Sequence, residues 1–554
     1  MAINVTTMGD LVDGRAEQAD GTALVFPDAR ATYRELAALT DHFARAIHGL
    51  GVQPGDKVGI LMPNRLEFAA ALIGIAKLGA IGVPINGRFK THECGYVLAH
   101  GDVRLLLTAG GAGAADYPAL IAEVFPELAT QDPMALELGA APLLRQVVDL
   151  GGGARPGFLT RADLDAAAAR VPLQDVKRLQ ARVMVRSVAL LMYTSGTTAR
   201  PKGCLLTHEA LVRHAGNVAR TRFLLTADDV FWDPLPLFHC GGIGPMLGCF
   251  SVGATYCHAG HFDADVSLRM LEDERVTVAY PAFETIWLAI LNHPRFADAD
   301  LTSIRLIQNI ATPEKLAQFE ARMPWARQVT SYGSTECATN LTLPHPDDPY
   351  EVRIGTLGTP LDGIEVKVVD PESGDERPVG EVGELCFRGY SRFEGYYKDP
   401  EQTAATIDAG GWFHTGDLAS VDEGGRLIYA GRLKDMLKVG GENVSAVEVE
   451  DYLARHEAVD LVQVVSAPDA RYTEVAAAYV QLRPGTETSE DELIDFCIGK
   501  IAGYKVPRYV RFVTDWPMSG TKIQKYVLRQ RIADELEAAG VAQAPRLDAR
   551  RPVG

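Results

Sequence analysis

A run of hydroxyls, glycines and cations, Tyr193-Thr194-Ser195-Gly196-Thr197-Thr198-Ala199-Arg200-Pro201-Lys202-Gly203, follows directly on the apolar segment Val188 to Met192. Such a loop sets backbone N–H groups, hydroxyls and two cations against a polyphosphate. Its lysine precedes the last glycine and follows a proline, unlike the G-x-x-x-x-G-K-[ST] P-loop, which disfavours a P-loop kinase or GTPase. A generic Gly/Ser/Thr run is most often a solvated loop, but an ordered series of this length, placed after an apolar strand, is a stronger signal.

Further segments follow in order: Tyr332-Gly333-Ser334-Thr335-Glu336, Gly411-Trp412-Phe413-His414-Thr415-Gly416-Asp417, Gly431-Arg432-Leu433-Lys434-Asp435, Tyr504-Lys505-Val506-Pro507, and Pro517-Met518-Ser519-Gly520-Thr521-Lys522-Ile523-Gln524-Lys525. Together with the phosphate loop they resemble the adenylate-forming superfamily of acyl-CoA synthetases, peptide adenylation domains and firefly-type luciferases. The resemblance covers nearly the entire chain. It implies an ATP-dependent carboxylate-activating enzyme that makes an acyl-adenylate and passes the acyl group to coenzyme A, with ATP, Mg²⁺ and CoA as cofactors.

The resemblance also implies roles. Thr194, Ser195, Gly196, Thr197, Thr198 and Lys202 hold phosphates. Ser331, Tyr332 and Gly333 contact the nucleotide, with Tyr332 stacked on adenine, and Thr335 bonds a phosphate. Glu336 holds Mg²⁺, a hard cation that keeps several waters and needs only one or two protein carboxylates. Asp417 meets both ribose hydroxyls, for which a two-oxygen carboxylate is well shaped. Tyr429 and Arg432 lie on the nucleotide, Lys434 at a hinge, and Lys522 is the adenylation lysine. Lys438, Gly440 and Gly441 face a pantetheine tunnel, where adjacent glycines suit close backbone approach.

The sequence departs from the family pattern in three places. Ala199 replaces a common glycine, and the glycine usually found just before Lys522 is absent. Asn309-Ile310-Ala311-Thr312-Pro313 stands where G-G-A-P is frequent, with Ala311 and Thr312 still expected on the adenine. Candidate acyl-pocket residues are His239, Gly241, Tyr280, Phe283 and Trp287. Aromatic and small residues suit an apolar site, and no basic residue marks a second carboxylate, so a fatty, alicyclic or aromatic acid is favoured. A lone histidine in such a run is as often a packed residue. An acyl-AMP ligase loading a carrier-protein phosphopantetheine, a luciferase-like oxygenase and a non-catalytic binding homologue stand as alternatives.

These residues must be positioned by a large scaffold. At 554 residues the chain exceeds a single-domain length. The alternation of helical and strand-like segments predicts an α/β fold: a large multi-layer domain over 1–431 with a β-rich subdomain, a hinge at 432–435 and a small mobile α+β domain over 436–554. Thr32-x-x-Glu35 reads as a capping box, and Phe68 to Ile85 as a buried helix followed by a strand. Residues 108 to 175, rich in Ala, Gly and Pro, read as loops and short surface helices.

A net charge of -18 argues against a general affinity for nucleic acid or anionic membrane. It also requires any site for phosphates and carboxylates to be a local basic island. The N-terminus carries no basic and apolar signal pattern, no stretch reads as a bilayer span, and eight cysteines without a C-x-x-C pair fit a reducing compartment. A cytoplasmic enzyme, possible as a homodimer, is expected. His239, Cys240, Cys249, Cys257, His258 and His261 lie close in sequence, but at spacings that fit no common zinc site.

Overall fold

The computed structural model describes residues 5–18, 20–110, 115–194, 201–439, 442–519 and 522–547, without the side chains of Lys434, Glu442, Asn443, Ser519 and Lys522. Contacts divide the chain into two units, Met1–Val366 with Phe387–Phe413, and Lys367–Cys386 with His414–Gly554. Residues 367–386 and 414–431, which the sequence reading groups with the large domain, cluster instead with the C-terminal residues. One link among them is the Gly380 N–H, which donates to Val421 O at 2.8 Å.

Among the described residues the first unit is built on two seven-stranded sheets. One runs Leu159–Thr160, Gln146–Asp149, Val103–Thr108, Lys57–Leu61, Ile81–Pro84, Val188–Thr194, Lys202–Thr207. All its pairs are parallel except the last, which is antiparallel. The other runs Arg327–Val329, Leu306–Ile310, Val278–Phe283, Val230–Trp232, Thr255–Cys257, Thr22–Phe26, Ala29–Thr32, and its last pair too is antiparallel. Parallel strands need crossovers, and the helices that provide them cover the sheet faces, so the central strands read as continuous apolar runs.

Local sequence explains the bounding helices. Thr32 caps Tyr33–Gly49 in a reciprocal box: Glu35 N–H donates to Thr32 Oγ at 3.3 Å and Thr32 N–H to Glu35 Oε2 at 2.8 Å. The apolar stretch from Phe68 resolves into the helix Leu66–Lys77 and the strand Ile81–Pro84. Lys77 is fully buried and bonds Asp13 at 2.6 Å and Asp41 at 2.5 Å. Lys177 reaches the same two carboxylates, and Gln180 donates to Asp10 and Asp13.

The Ala/Gly/Pro-rich stretch is more regular than the sequence predicts. It supplies the strands Gln146–Asp149 and Leu159–Thr160 and the helices Tyr117–Val124 and Arg161–Ala169. Gln146–Asp149 is buried at all four positions. A run that short offers no periodicity, so tertiary burial rather than local pattern makes it a strand.

The second unit holds the five-stranded sheet Glu442–Val444, Leu437–Val439, Thr473–Leu482, Val459–Asp469, with Tyr509–Phe512 parallel to Thr473–Leu482. Alternation places Val462, Val464, Ala476, Ala478 and Val480 on one face and Val465, Ala467, Val475, Ala477 and Tyr479 on the other. The helices Ala446–Leu453 and Glu490–Cys497 pack on the first face and Lys525–Ala538 on the second. Strands Ile364–Val369, Gly383–Gly389, Phe413–Val421 and Leu427–Arg432 form a further sheet in that order. All eight cysteines are buried free thiols. No described helix is long and apolar enough to cross a membrane.

Candidate active site

Ser195, Gly196, Thr197 and Thr198 lie outside the described residues. The residues flanking them do not: Thr194 ends one strand and Lys202 begins the next, facing each other across an antiparallel register. Thr207, at the far end of the second strand, caps the helix His208–Thr221 by accepting from Ala210 N–H at 3.1 Å. The phosphate-loop flanks are therefore anchored by a strand pair on one side and a capped helix on the other.

Lys202 Nζ sits 5.2 Å from the centroid of the Tyr396 ring, and the Tyr396 hydroxyl donates to Glu336 Oε1 at 3.0 Å. One phenol thus joins a cation and a carboxylate from segments far apart in sequence. The backbone around it is cross-braced. Phe393 N–H donates to Glu336 O at 2.8 Å, Glu394 N–H to Leu205 O at 2.9 Å and Tyr397 N–H to Gly203 O at 2.7 Å. Burial and the neighbouring Glu336 carboxylate push the Tyr396 phenol far above its ordinary range, so it stays protonated and a donor.

Glu336 and Thr335 lie on the 3-10 turn Thr335–Cys337, between the antiparallel strands Tyr332–Ser334 and Thr339–Leu343. The pairing is so close that a Cβ at Gly333 would stand 1.8 Å from Thr339 O, so only glycine is accommodated. Ala338 closes the turn at φ 69. Tyr332 is 8% exposed. Ser331 accepts from Gln308 Nε2 at 2.8 Å and from Asn340 Nδ2 at 3.0 Å, and Asn340 Nδ2 reaches the Tyr280 hydroxyl at 3.5 Å. This polar chain connects a nucleotide candidate to an acyl-pocket candidate.

The other acyl-pocket and adenine candidates spread around the strand ends. His239 is exposed at the N-cap of the helix Cys240–Val252, its ring 4.7 Å from that of Phe238. A Cβ at Gly241 would meet Leu235 Cδ1 at 2.7 Å. Phe283, half-buried, caps the helix Glu284–Leu291 after a strand irregularity at which Ala282 takes φ 56. A non-glycine residue held in that region is strained. Trp287 is fully buried in the apolar core with Leu316 and Phe319. The Thr312 hydroxyl accepts from Lys315 N–H at 3.4 Å as the cap of Pro313–Arg322, and Ala311 is partly buried against the same core.

In the second unit, Asp417 and Arg432 face each other across the antiparallel pair Phe413–Val421 and Leu427–Arg432, with Arg432 Nε 3.2 Å from Asp417 Oδ1. Burial first, then the Asp417 carboxylate, raise the Tyr429 phenol, and Arg432 hydrogen-bonds it. Glu384 holds the loop that carries Asp417: Oε1 accepts from Gly416 N–H at 3.0 Å and Oε2 lies 2.8 Å from His414 Nδ1. The Thr415 hydroxyl donates to Leu385 O at 2.7 Å. Cys386 Sγ approaches the same His414 nitrogen at 3.4 Å. These three residues bring potential metal-ligating atoms within 4.8 Å of one another, but carboxylate and thiol converge on one ring nitrogen, as in a hydrogen-bond cluster.

Lys434 falls in the 3-10 turn Leu433–Asp435, its side chain outside the described residues. Lys438 is exposed on Leu437–Val439, with Nζ 3.7 Å from Glu372 Oε1, and Gly440 and Gly441 lie outside the described residues. The backbone of Lys522 pairs with Ser519 in an antiparallel register with two residues between them, so the shortened motif still brackets a hairpin. The Lys522 side chain is not described.

Lys202, Thr335, Glu336, Ser331, Tyr332 and Tyr280 thus share the first unit's strand ends, while Asp417, Tyr429 and Arg432 form a group in the second. Sequence reasoning missed Tyr396, which braces Glu336, and Glu384, which braces the Asp417 loop. Neither has a local signal, because its partner is 60 residues away in one case and 32 in the other.

The described donors fit a magnesium ion at Glu336, since its carboxylate and the Thr335 hydroxyl are hard oxygen ligands. Residues 13–397 match the family model described as AMP-binding enzyme, and residues 448–522 match that of the AMP-binding enzyme C-terminal domain. The YngI protein of Bacillus subtilis is 36% identical over 95% of this chain and 97% of its own. A Rhodococcus jostii enzyme, 3-[(3aS,4S,7aS)-7a-methyl-1,5-dioxo-octahydro-1H-inden-4-yl]propanoyl:CoA ligase, is 34% identical over 95% of this chain and 98% of its own. Among solved structures, the anthranilate CoA ligase AuaEII with anthranoyl-AMP superposes at a TM-score of 0.84, with 29% identity, covering 97% of this chain and 98% of that one.

Proposed function

The chain belongs to the AMP-binding enzyme family and is an AMP-forming acyl-CoA ligase, and we propose that its substrate is an apolar acid, alicyclic, aromatic or fatty, activated by the residues assembled above. The observation that carries the reading is the grouping of Lys202, Tyr396 and Glu336, a cation and a carboxylate held on one phenol beside the nucleotide segment. Lys202 with Lys522 supplies the local positive charge that an acidic chain needs for anionic substrates.

In the first step the substrate carboxylate attacks the α-phosphorus of ATP in line, and pyrophosphate leaves. Two anions must meet, so catalysis is positioning and charge stabilisation. Lys522 bridges the carboxylate and the α-phosphate, and Lys202 with the hydroxyls of residues 194–198 takes charge growing on pyrophosphate. Glu336, with Thr335, would hold the Mg²⁺ that neutralises phosphate oxygens. Asp417 orients the ribose through its diol, and Tyr332 packs on the adenine, with Ala311, Thr312, Ser331, Gly333, Tyr429 and Arg432 completing the nucleotide site.

In the second step the CoA thiol attacks the mixed anhydride, forming the thioester as AMP leaves. Lys434 is the pivot of a two-state division of labour in which Lys522 serves the first step and the segment with Lys438, Gly440 and Gly441 serves the second. His239, Gly241, Tyr280, Phe283 and Trp287 frame the acyl side. Eight buried thiols without a disulfide support work in a reducing compartment, the cytoplasm.

The test is mass-spectrometric detection of AMP and thioester with ATP, Mg²⁺, CoA and a panel of fatty, aryl and alicyclic acids, alongside Lys522→Ala. Acyl-CoA formation by the native protein, with the variant losing adenylation yet converting a supplied acyl-adenylate, is the expected result. Accumulation of acyl-adenylate with CoA ignored would replace this reading with a ligase that loads a carrier protein.

A further inference from the structure

Between the helices His208–Thr221 and Cys240–Val252 lies a small cavity of about 10 Å³, lined chiefly by His214, Val218, Phe223, Phe231, Gly244 and Asn340. His214 is 1% exposed, and neither of its ring nitrogens makes a hydrogen bond of good geometry among the described residues; the Asn340 backbone is a weak partner at most. The other fully buried imidazoles each have a bonded nitrogen, although His208 Nε2 lacks a partner among the described residues. His258 bonds Leu235 O and Gly260 N–H, and His208 accepts from Met8 N–H. A buried polar group left poorly bonded is destabilising, so an imidazole with no well-formed hydrogen bond at either nitrogen marks a place for a partner.

The cavity adjoins the acyl side of the site. Phe223 and Phe231 each lie 5.8 Å, centroid to centroid, from the Tyr280 ring, and Asn340 reaches the Tyr280 hydroxyl. The glycines of the second helix hold it close: a Cβ at Gly244 would come within 2.3 Å of Thr339 Oγ. Thr339 and Asn340 in turn begin the strand just beyond the Thr335–Cys337 turn that carries Glu336.

Size and charge limit the guest. A space of this size accepts about one water-sized group, which suits a single oxygen and not a carboxylate. Its lining contains no Lys, Arg, Asp or Glu. Burial pushes the His214 imidazole down to about 4, so at neutral pH it offers one N–H and one lone pair.

We propose that His214 is a specificity-determining residue that hydrogen-bonds a single uncharged oxygen, a ketone or hydroxyl, carried on the otherwise apolar skeleton of the acid. This rests on the acyl-CoA ligase reading and narrows it from apolar acids in general to mono-oxygenated ones. A polar group built to meet a substrate oxygen discriminates strongly against the analogue that lacks it, because the protein's own group is then left unpaired.

The test uses matched acids: 3-cyclohexylpropanoic against 3-(4-oxocyclohexyl)propanoic acid, and octanoic against 7-oxo-octanoic acid. Acid-dependent pyrophosphate release gives kcat/KM for the native protein, His214→Phe and His214→Gln. Native preference for the oxo acid of at least one pair by roughly tenfold, inverted in His214→Phe and partly kept in His214→Gln, is expected. Equal oxo-to-deoxo ratios in the native protein and in whichever variant folds would mean a trapped water only and overturn the proposal, as would a native preference for the deoxo acids. Those outcomes leave the ligase reading standing, whereas no adenylation of any acid would bring down both.

Discussion

Tyr396 donates its hydroxyl to Glu336 at 3.0 Å while presenting its ring to Lys202, so the phenol's two chemical faces serve two different residues. Tyr396→Phe separates them, keeping the ring for the cation and removing the donor to the carboxylate. A hydrogen bond to a charged group is worth about 1.5–3 kcal/mol, so the Mg²⁺ concentration giving half-maximal pyrophosphate release should rise roughly tenfold or more. An unchanged Mg²⁺ titration would mean that Tyr396 does not orient Glu336.

Ribose recognition is open to a paired comparison. Asp417→Asn should raise the KM for ATP by about tenfold or more, as expected for a charged hydrogen-bond partner, and flatten the preference for ATP over 3′-deoxy-ATP. Glu384→Gln, one step removed through Gly416 N–H, should flatten the same preference part-way. If Asp417→Asn alone shows the effect, the Asp417 loop holds its shape without Glu384.

Stability should fall as the pH is lowered through a window set by buried imidazoles. His208, His214 and His258 are each pushed by burial from an ordinary value near 6.5 to about 4. Between those values the unfolded chain binds protons that the native chain refuses, so stability rises with pH there. It is fully present above 6.5 and lost as pH falls toward 4. Calorimetry from pH 7.5 to 4.5 should show a declining Tm with proton uptake on unfolding; a flat Tm over that range would mean the imidazoles protonate in place.

Lys77 is fully enclosed with Asp13 and Asp41 against it. Removing one partner of a buried ion cluster strands the charges opposite and costs on the order of 3–5 kcal/mol. Lys77→Met should lower the urea midpoint accordingly, with Lys177, 35% exposed and bonded to both carboxylates, softening the loss. A midpoint unchanged in the variant would show that the lysine is dispensable to the fold.

The parts legible in the sequence are those whose information is local. Thr32 and Glu35 are three residues apart and announce a helix start. The strand before the phosphate loop is a continuous apolar run, and the segments around Tyr332 and Asp417 are strings of adjacent residues. What was hidden depends on distance along the chain. Gln146–Asp149 is a strand only because neighbours bury it on both faces. Tyr396 and Glu384 acquire meaning from partners on other elements, and the poorly bonded His214 is visible only once its surroundings are packed. The grouping of residues 414–431 with the C-terminal residues depends likewise on contacts such as the Ser445 hydroxyl donating to Ala430 O, which no turn signal at Gly431 reveals.

The eight free thiols have a practical corollary. Each is sealed inside a packed interior, where a thiol is inert to alkylating agents and oxidants. Modification by such a reagent therefore requires the surrounding segment to open first, and the labelling rate of each cysteine reports the opening free energy of its own neighbourhood. Cys497 reads the second unit's helical face, Cys94 and Cys257 the two large sheets of the first, so the chain carries a built-in set of local unfolding gauges. The same arrangement makes oxidative damage conditional: a protein of this kind withstands an oxidant for as long as it stays folded and loses the way back once it does not.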